Sequence, residues 1–312
     1  MTSIKTERRN PRSRGLDRKS TIEILRVLNR EDARVALAVR RELPHIARAV
    51  DAIVQALRHG GRLFYVGAGT SGRLAVIDAA ECVPTFGTSP KLVQAIIAGG
   101  ARALRHAVEG AEDSAANGAR DLAAAGVTQR DVVVGLAASG TTPYVLGALK
   151  LAQRKGAVTV GVTSNCHSPL ARRVRIAIVP NTGPEVIAGS TRLKAGTSQK
   201  MVLNLLSTAS MARLGRVYEN WMICVALTNQ KLRRRGVRIL EEATGARASA
   251  AEHVLSQSGH DLPTALVMLK TGATAREAVR ALAHSGGNVR EALSLSTRNN
   301  SAGRPRASNA KD

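Results

Sequence analysis

Two stretches of this chain set hydroxyl side chains among glycines where an apolar run gives way to a helical pattern, a combination suited to holding a phosphate. The first is Tyr65-Val66-Gly67-Ala68-Gly69-Thr70-Ser71-Gly72-Arg73, whose G-x-G-x-x-G spacing is also that of a dinucleotide fingerprint. A dinucleotide would need an acidic residue at the end of the next strand to hold its ribose, but residues 92–97 run into Ala98-Gly99-Gly100. What remains is Gly69, Thr70 and Ser71 at a helix N-terminus, a site for a phosphate monoester. The second stretch, Ala137-Ala138-Ser139-Gly140-Thr141-Thr142-Pro143-Tyr144, repeats that logic with Ser139, Gly140, Thr141 and Thr142. Either loop alone reads as a helix cap. Two of them in one parallel sheet can meet where the strand order reverses, and there they form one site.

The elements that must position these loops are legible as short apolar runs at residues 62–66, 92–97, 131–136, 158–163 and 175–179, separated by stretches that can hold helices. Continuous apolar strands alternating with helices imply a parallel sheet covered on both faces, hence a three-layer α/β fold with its core at about residues 55–218. Ahead of it, Ser20-Thr21-Ile22-Glu23 has the pattern of a capping box, and a second helix is expected over residues 43–58. Residues 21–235 thus form the α/β domain with an N-terminal helical extension. Past residue 194 the strand signals cease. Residues 236–297 read as a small bundle of three helices, punctuated by Thr244-Gly245, Gly259, Thr271-Gly272 and Gly286-Gly287. Residues 1–20 read as a flexible basic arm and residues 298–312, rich in Asn, Ser and Arg, as a disordered tail.

Composition narrows the function further. The 312 residues carry 46 Lys+Arg against 23 Asp+Glu, a formal charge of +23, with 44% hydrophobic but only 2% aromatic residues. Such a charge attracts anions of every kind, yet the scarcity of rings leaves no platform for stacked bases and argues against nucleic acid as partner. No segment approaches the roughly 18 apolar residues of a membrane span, and the N-terminus has no apolar leader. Cys82, Cys166 and Cys224 are odd in number, far apart and not at metal-ligand spacing, so a reducing cytoplasm and no metal site are expected.

The loop Ser139-Gly140-Thr141-Thr142 after a strand resembles the phosphosugar-binding loop of the sugar isomerase (SIS) domain family. Within it, the combined motifs resemble the N-acetylmuramic acid 6-phosphate etherases. They are Thr6-Glu7-Arg8-Arg9-Asn10-Pro11, residues 67–73, Asp78-Ala79-Ala80-Glu81-Cys82, His106-Ala107-Val108-Glu109-Gly110-Ala111-Glu112-Asp113, residues 138–144 and residues 189–200. They run in the family's order from residue 6 to about 235, and the C-terminal bundle is similar as well. Thr141 departs from the arginine frequent at that place in the family.

The resemblance implies a substrate with a D-lactyl ether on C3 of a sugar 6-phosphate. In the ring-opened aldehyde the C2 proton is acidic and the ether lies β to the carbonyl, so elimination of lactate followed by water addition needs only positioned acids and bases, and no metal or other cofactor is expected. By the family's motif, Glu81 is the proton donor to the leaving lactate and Glu112 the second acid/base group. Both are expected from loops near the carboxyl ends of the strands, with Cys82, Val83 and Pro84 as apolar surroundings that keep Glu81 protonated. Ser190, Arg192, Lys194 and Lys200 stand where they could meet the phosphate or the lactyl carboxylate, a solvated basic face being the alternative. Glu109 and Glu185 are secondary candidates, and His106 is left out of the chemistry. The family also implies a homodimer. The rival reading is a non-catalytic phosphosugar-binding regulator resembling glucokinase regulatory protein, for which Glu81 and Glu112 would be dispensable. Arm and tail account for part of the positive charge, leaving +15, and Arg172-Arg173-Arg175 and Arg233-Arg234-Arg235 have no assigned role.

Overall fold

The computed structural model describes residues 5–302, with side chains from 6 to 295. The chain divides into two compact units, residues 1–83 with 88–210, and residues 84–87 with 211–312.

The first unit is built on five strands, β1 (Leu63–Gly67), β2 (Val93–Ile97), β3 (Val132–Leu136), β4 (Val158–Val162) and β5 (Ile176–Ile178). All pair in parallel in the order β2-β1-β3-β4-β5. Every residue of β1 and β3 is buried, as continuous Val/Leu/Phe runs require when helices cover both faces. Chain order reverses between β1 and β3, so the loops leaving these neighbouring strands flank the switch point. The helices are α1 (Thr21–Arg41), α2 (Leu43–Arg58), α3 (Gly69–Phe86), α4 (Ala115–Ala124), α5 (Pro143–Arg154), α6 (Pro169–Arg173) and α7 (Lys194–Arg213). The capping box at Ser20 is present, its backbone N–H donating to Glu23 Oε2 at 2.9 Å. Helices α4 and α5 pack almost backbone to backbone at Gly118 and Gly147, where a Cβ would fall 1.9 Å from the carbonyl oxygens of Tyr144 and Ala115.

The expected flexible arm is instead tied down from residue 6 onward. Three short 3₁₀ turns (Lys5–Glu7, Pro11–Ser13, Leu16–Arg18) carry it across the domain. Asn10 donates to Glu31 Oε2 at 2.8 Å and to Pro184 O at 3.2 Å, Ser13 donates to Val186 O at 2.7 Å, and Gly189 N–H donates to Thr6 O. Glu31 is 2% exposed and also receives the ammonium of Lys194, itself 1% exposed. Charge and a proline suggested a flexible arm, but a buried carboxylate needs donors and the arm supplies one.

The second unit holds a two-stranded hairpin, β6 (Val217–Tyr218) with β7 (Trp221–Met222), where no strand was expected. Five helices follow rather than three: α8 (Gln230–Thr244), α9 (Ala248–Gln257), α10 (Leu262–Thr271), α11 (Ala275–His284) and α12 (Val289–Ala302). Residues 298–302, read as tail, belong to α12, and the remainder of that tail lies outside the described residues. The last four helices are two copies of one unit. Thr244-Gly245-Ala246 returns 27 residues later as Thr271-Gly272-Ala273, Ala251 as Ala278, Leu255 as Leu282, Ser258-Gly259 as Ser285-Gly286, and Ala265-Leu266 as Ala292-Leu293. Gly245 and Gly272 end their helices in the left-handed region, donating back to Glu241 O and Met268 O. Ala251, Leu255, Ala265 and Leu266 share one core with their counterparts Ala278, Leu282, Ala292 and Leu293.

Where the second copy has Gly287 at φ +86°, the first has His260 at φ +64°, a conformation that a Cβ disfavours. His260→Gly is expected to raise stability by about 1 kcal/mol in urea unfolding; an unchanged or lower midpoint contradicts the equivalence of the two copies. A second expectation concerns Asp131, 1% exposed, which accepts from the Arg62 N–H (2.7 Å), the Arg62 guanidinium (2.9 Å) and the Thr128 N–H (2.7 Å). Burial works to raise its pKa, but these donors outweigh it and hold the carboxyl below its ordinary value. Its stabilisation is therefore complete above an unfolded pKa of about 4 and is lost as pH falls through the lower folded value. Asp131→Ala should cost about 3 kcal/mol at neutral pH and flatten stability against pH below 4; chemical denaturation across pH 2–7 measures both.

Candidate functional site

The two hydroxylated loops emerge side by side from the carboxyl ends of β1 and β3. In the second, Ser139 Oγ accepts from the Thr141 N–H at 3.2 Å and from the Thr141 hydroxyl at 2.9 Å, so its own proton is left to donate. Gly140, at φ +71°, passes so close to α6 that a Cβ would lie 2.3 Å from Ser168 Oγ. Thr142 occupies the N-cap position of α5 yet makes no side-chain cap bond, so its hydroxyl is not consumed by capping. Thr141 is exposed; Ser139 and Thr142 are half-buried.

The first loop is different. Gly69 opens α3 and is exposed, while Thr70 and Ser71 are half-buried beside the start of α7. Gly196 packs on the Thr70 methyl and Leu74, and Ser71 donates to Gln199 Oε1 at 2.8 Å. The opposite end of that amide, Nε2 of a residue 2% exposed, has no partner. Gln199 lies in a segment the sequence marks, but its contact with Ser71, 128 residues earlier, carries no sequence signal.

Glu112 is exposed in the turn before α4, and its carbonyl accepts from the Tyr144 N–H at 3.0 Å. This bond sets Glu112 beside the helix that the second loop opens. Arg73, in the second turn of α3, holds the preceding segment by donating to Ala103 O (2.9 Å) and His106 O (3.2 Å). The side chains of His106 and Glu109 are exposed.

Glu81 is not in a loop. It lies on the fourth turn of α3, which runs unbroken from Gly69 to Phe86, roughly 18 Å along the axis from Gly69 at 1.5 Å per residue. Nor is it enclosed by apolar neighbours, for Glu81 is exposed on the same side as Ile77 while Asp78 and Cys82 face inward. Asp78 receives hydrogen bonds from Tyr65 (3.1 Å), Lys200 (3.3 Å) and Ser207 (3.4 Å), fastening α3 to β1 and α7. Burial, and then the charge of Asp78, push the Tyr65 hydroxyl well above its ordinary value and the Cys82 thiol up to about 12, so neither ionises near neutrality.

Lys194 does not face a substrate directly: its ammonium is buried against Glu31. Lys200 is committed to Asp78, whereas Arg192 is exposed and Ser190 half-buried. Glu185 is fully buried and accepts from the N–H groups of Lys194 (3.0 Å) and Ala195 (2.9 Å), capping α7. Burial raises its pKa against the pull of those two donors. Among the described residues no group of three or more His, Cys, Asp or Glu is placed to hold a metal ion, and no helix is long and apolar enough to cross a membrane.

Two family models match the chain, the SIS domain over residues 100–209 and the N-terminal SIS domain of glucokinase regulatory protein over residues 45–153. The chain is 52% identical over 291 residues to the N-acetylmuramic acid 6-phosphate etherase of Serratia proteamaculans, covering 93% of this chain and 98% of that one. It is 50% identical over 293 residues to N-acetylmuramic acid 6-phosphate etherase 1 of Bacillus licheniformis (94% and 96% covered). With the etherase of Symbiobacterium thermophilum it shares 54% over 272 residues (87% and 90% covered). Half the residues retained over nearly the full length of both chains, on an SIS-type sheet, make this chain a member of the N-acetylmuramic acid 6-phosphate etherase family.

Proposed function

We propose that this chain cleaves the D-lactyl ether of N-acetylmuramic acid 6-phosphate, giving N-acetylglucosamine 6-phosphate and D-lactate. The observation that carries the reading is 52% identity to an etherase across 93% of the chain. A phosphosugar sensor has in its favour only the match of residues 45–153 to the glucokinase regulatory protein domain.

The phosphate sits at the switch point, where Ser139 has a proton to donate and the first turns of α3 and α5 bring backbone N–H groups. Glu112, held beside α5, removes the C2 proton of the open-chain aldehyde. The electron pair of that C–H bond forms the C2–C3 double bond as the C3–O bond breaks, and Glu81 protonates the departing lactate. Glu81, now a carboxylate, takes a proton from water as the oxygen adds to C3, and a proton returns to C2.

One chain does not bring Glu81 to its own loops, since α3 carries it about 18 Å along the axis from Gly69. In this reading the enzyme is a homodimer. The exposed face of α3 with Ile77 and Glu81 closes on a second copy, and each site uses Glu81 of the partner subunit. Its setting is the cytoplasm, in recycling of cell-wall sugar, where three unpaired cysteines fit a reducing medium.

Turnover in oxygen-18 water should release unlabelled lactate and place the label on C3 of the sugar, read by mass spectrometry; labelled lactate with an unlabelled C3 excludes elimination. Glu81→Gln and Glu112→Gln should each abolish turnover while substrate binding persists. Co-expressed in equal amounts, the two variants should recover about a quarter of wild-type activity, because half the dimers are mixed and each of these has one complete site. Mixtures that stay inactive rule out the shared site.

A further inference from the structure

A cavity of about 390 Å³ lies between α1, the segment after β5 and the first residue of α7, and none of Ser139, Thr142 or Glu112 lines it. Its charged lining is Arg12, Arg34, Arg41 and Lys194 against Glu31 alone. Glu31 is already engaged, by Lys194 and by Arg12 at 3.5 Å. Arg34 and Arg41 stand two turns apart on one face of α1 and have no acidic partner among the described residues. Thr182, 5% exposed, also lines the cavity, and its buried hydroxyl has no hydrogen-bond partner. Leaving a buried hydroxyl unpaired is costly, and two free guanidiniums on the rim present planar donor forks matched to an oxyanion.

We propose that this cavity is a binding site for a small oxyanion, a carboxylate or a phosphate, gripped by Arg34 and Arg41 with Thr182 donating from the wall. The site itself does not rest on the etherase reading; only its assignment to the lactyl carboxylate does. Two sources share the chemistry: the lactyl carboxylate of the substrate or its product, and a free phosphate. The cavity shares α7 with the first loop, since Lys194 lines it and Gln199, five residues on, holds Ser71. An anion seated there thus stands at the head of the helix that positions that loop.

The test is calorimetric titration at low ionic strength with D-lactate and with inorganic phosphate, in a Ser139→Ala background that removes the loop's own phosphate donor. Saturable binding of one probe is expected, weakened at least about tenfold in Arg34→Gln/Arg41→Gln and to a lesser extent in Thr182→Val. The arginines are exposed, so thermal unfolding of the double variant should match the parent. Preference for D-lactate, with a raised KM and unchanged kcat for lactate release when the double variant carries Ser139, identifies the substrate's carboxylate as the source. Preference for phosphate with unchanged KM identifies a separate anion. Absence of saturable binding to the parent, or equal affinity in the double variant, overturns the site. Loss of lactate release in the wild type would overturn the etherase reading alone.

Discussion

A buried ammonium at the head of α7 organises the first unit. Withdrawing Lys194 and Glu31 from water costs several kcal/mol per ion, and that cost is met only if the ammonium, the carboxylate and the amide of Asn10 are assembled together. Three separate stretches of chain must therefore be in place at once: the arm, α1 and the start of α7. Glu185 closes the same helix end by accepting its first N–H groups, with the favourable sense of the helix dipole. With α7 fixed, Gly196 meets Thr70, Gln199 takes the proton of Ser71, and Lys200 reaches Asp78 inside α3. The geometry of the first loop is inherited from an ion pair that belongs to no loop.

The two loops look equivalent in composition but differ in where their protons point. Ser71 donates inward to Gln199, which leaves its oxygen only an acceptor, whereas Ser139 accepts twice and keeps a donor. A phosphate dianion needs donors, and the second loop has them at the end of a fully buried strand. The first loop brings the backbone N–H groups at the start of α3, while the oxygen of its Ser71 is left as an acceptor. Two copies of one pattern thus read opposite ends of the hydrogen-bonding repertoire, because only one of them rests against a glutamine.

Much of the fold could be read along the chain. Each apolar run became a strand within a residue or two, since burial on both faces leaves no place for polar residues in β1 or β3. The capping box at Ser20 and both loops were legible because their signals are local. What escaped depends on distant partners. The arm reads as flexible by charge and proline, yet it is held by Glu31, 21 residues beyond Asn10. Lys194 reads as a free cation and is the most deeply buried lysine among the described residues. The duplication in α9–α12 was open to inspection but hidden by the divergence of most polar positions, the apolar and glycine positions being kept with Thr244/Thr271 and Ser258/Ser285 beside them.

Glu81 shows why a motif can name a residue without locating it. Read linearly, Cys82, Val83 and Pro84 surround it with apolar groups; on a helix, consecutive side chains diverge by about 100° and the true neighbours are three and four positions away. Asp78 and Cys82 share the inward face, where Asp78 is bound to Tyr65 and Lys200, and this phase turns Ile77 and Glu81 outward. Because α3 is continuous from the first loop, the phase is fixed by Asp78 and cannot be adjusted locally to bring Glu81 inside. A carboxyl that must hold a proton near neutrality has to lose solvent from somewhere. In the proposed reaction, where Glu81 protonates the departing lactate, that cover comes from outside this face of α3, and burial of the Ile77 face goes with it.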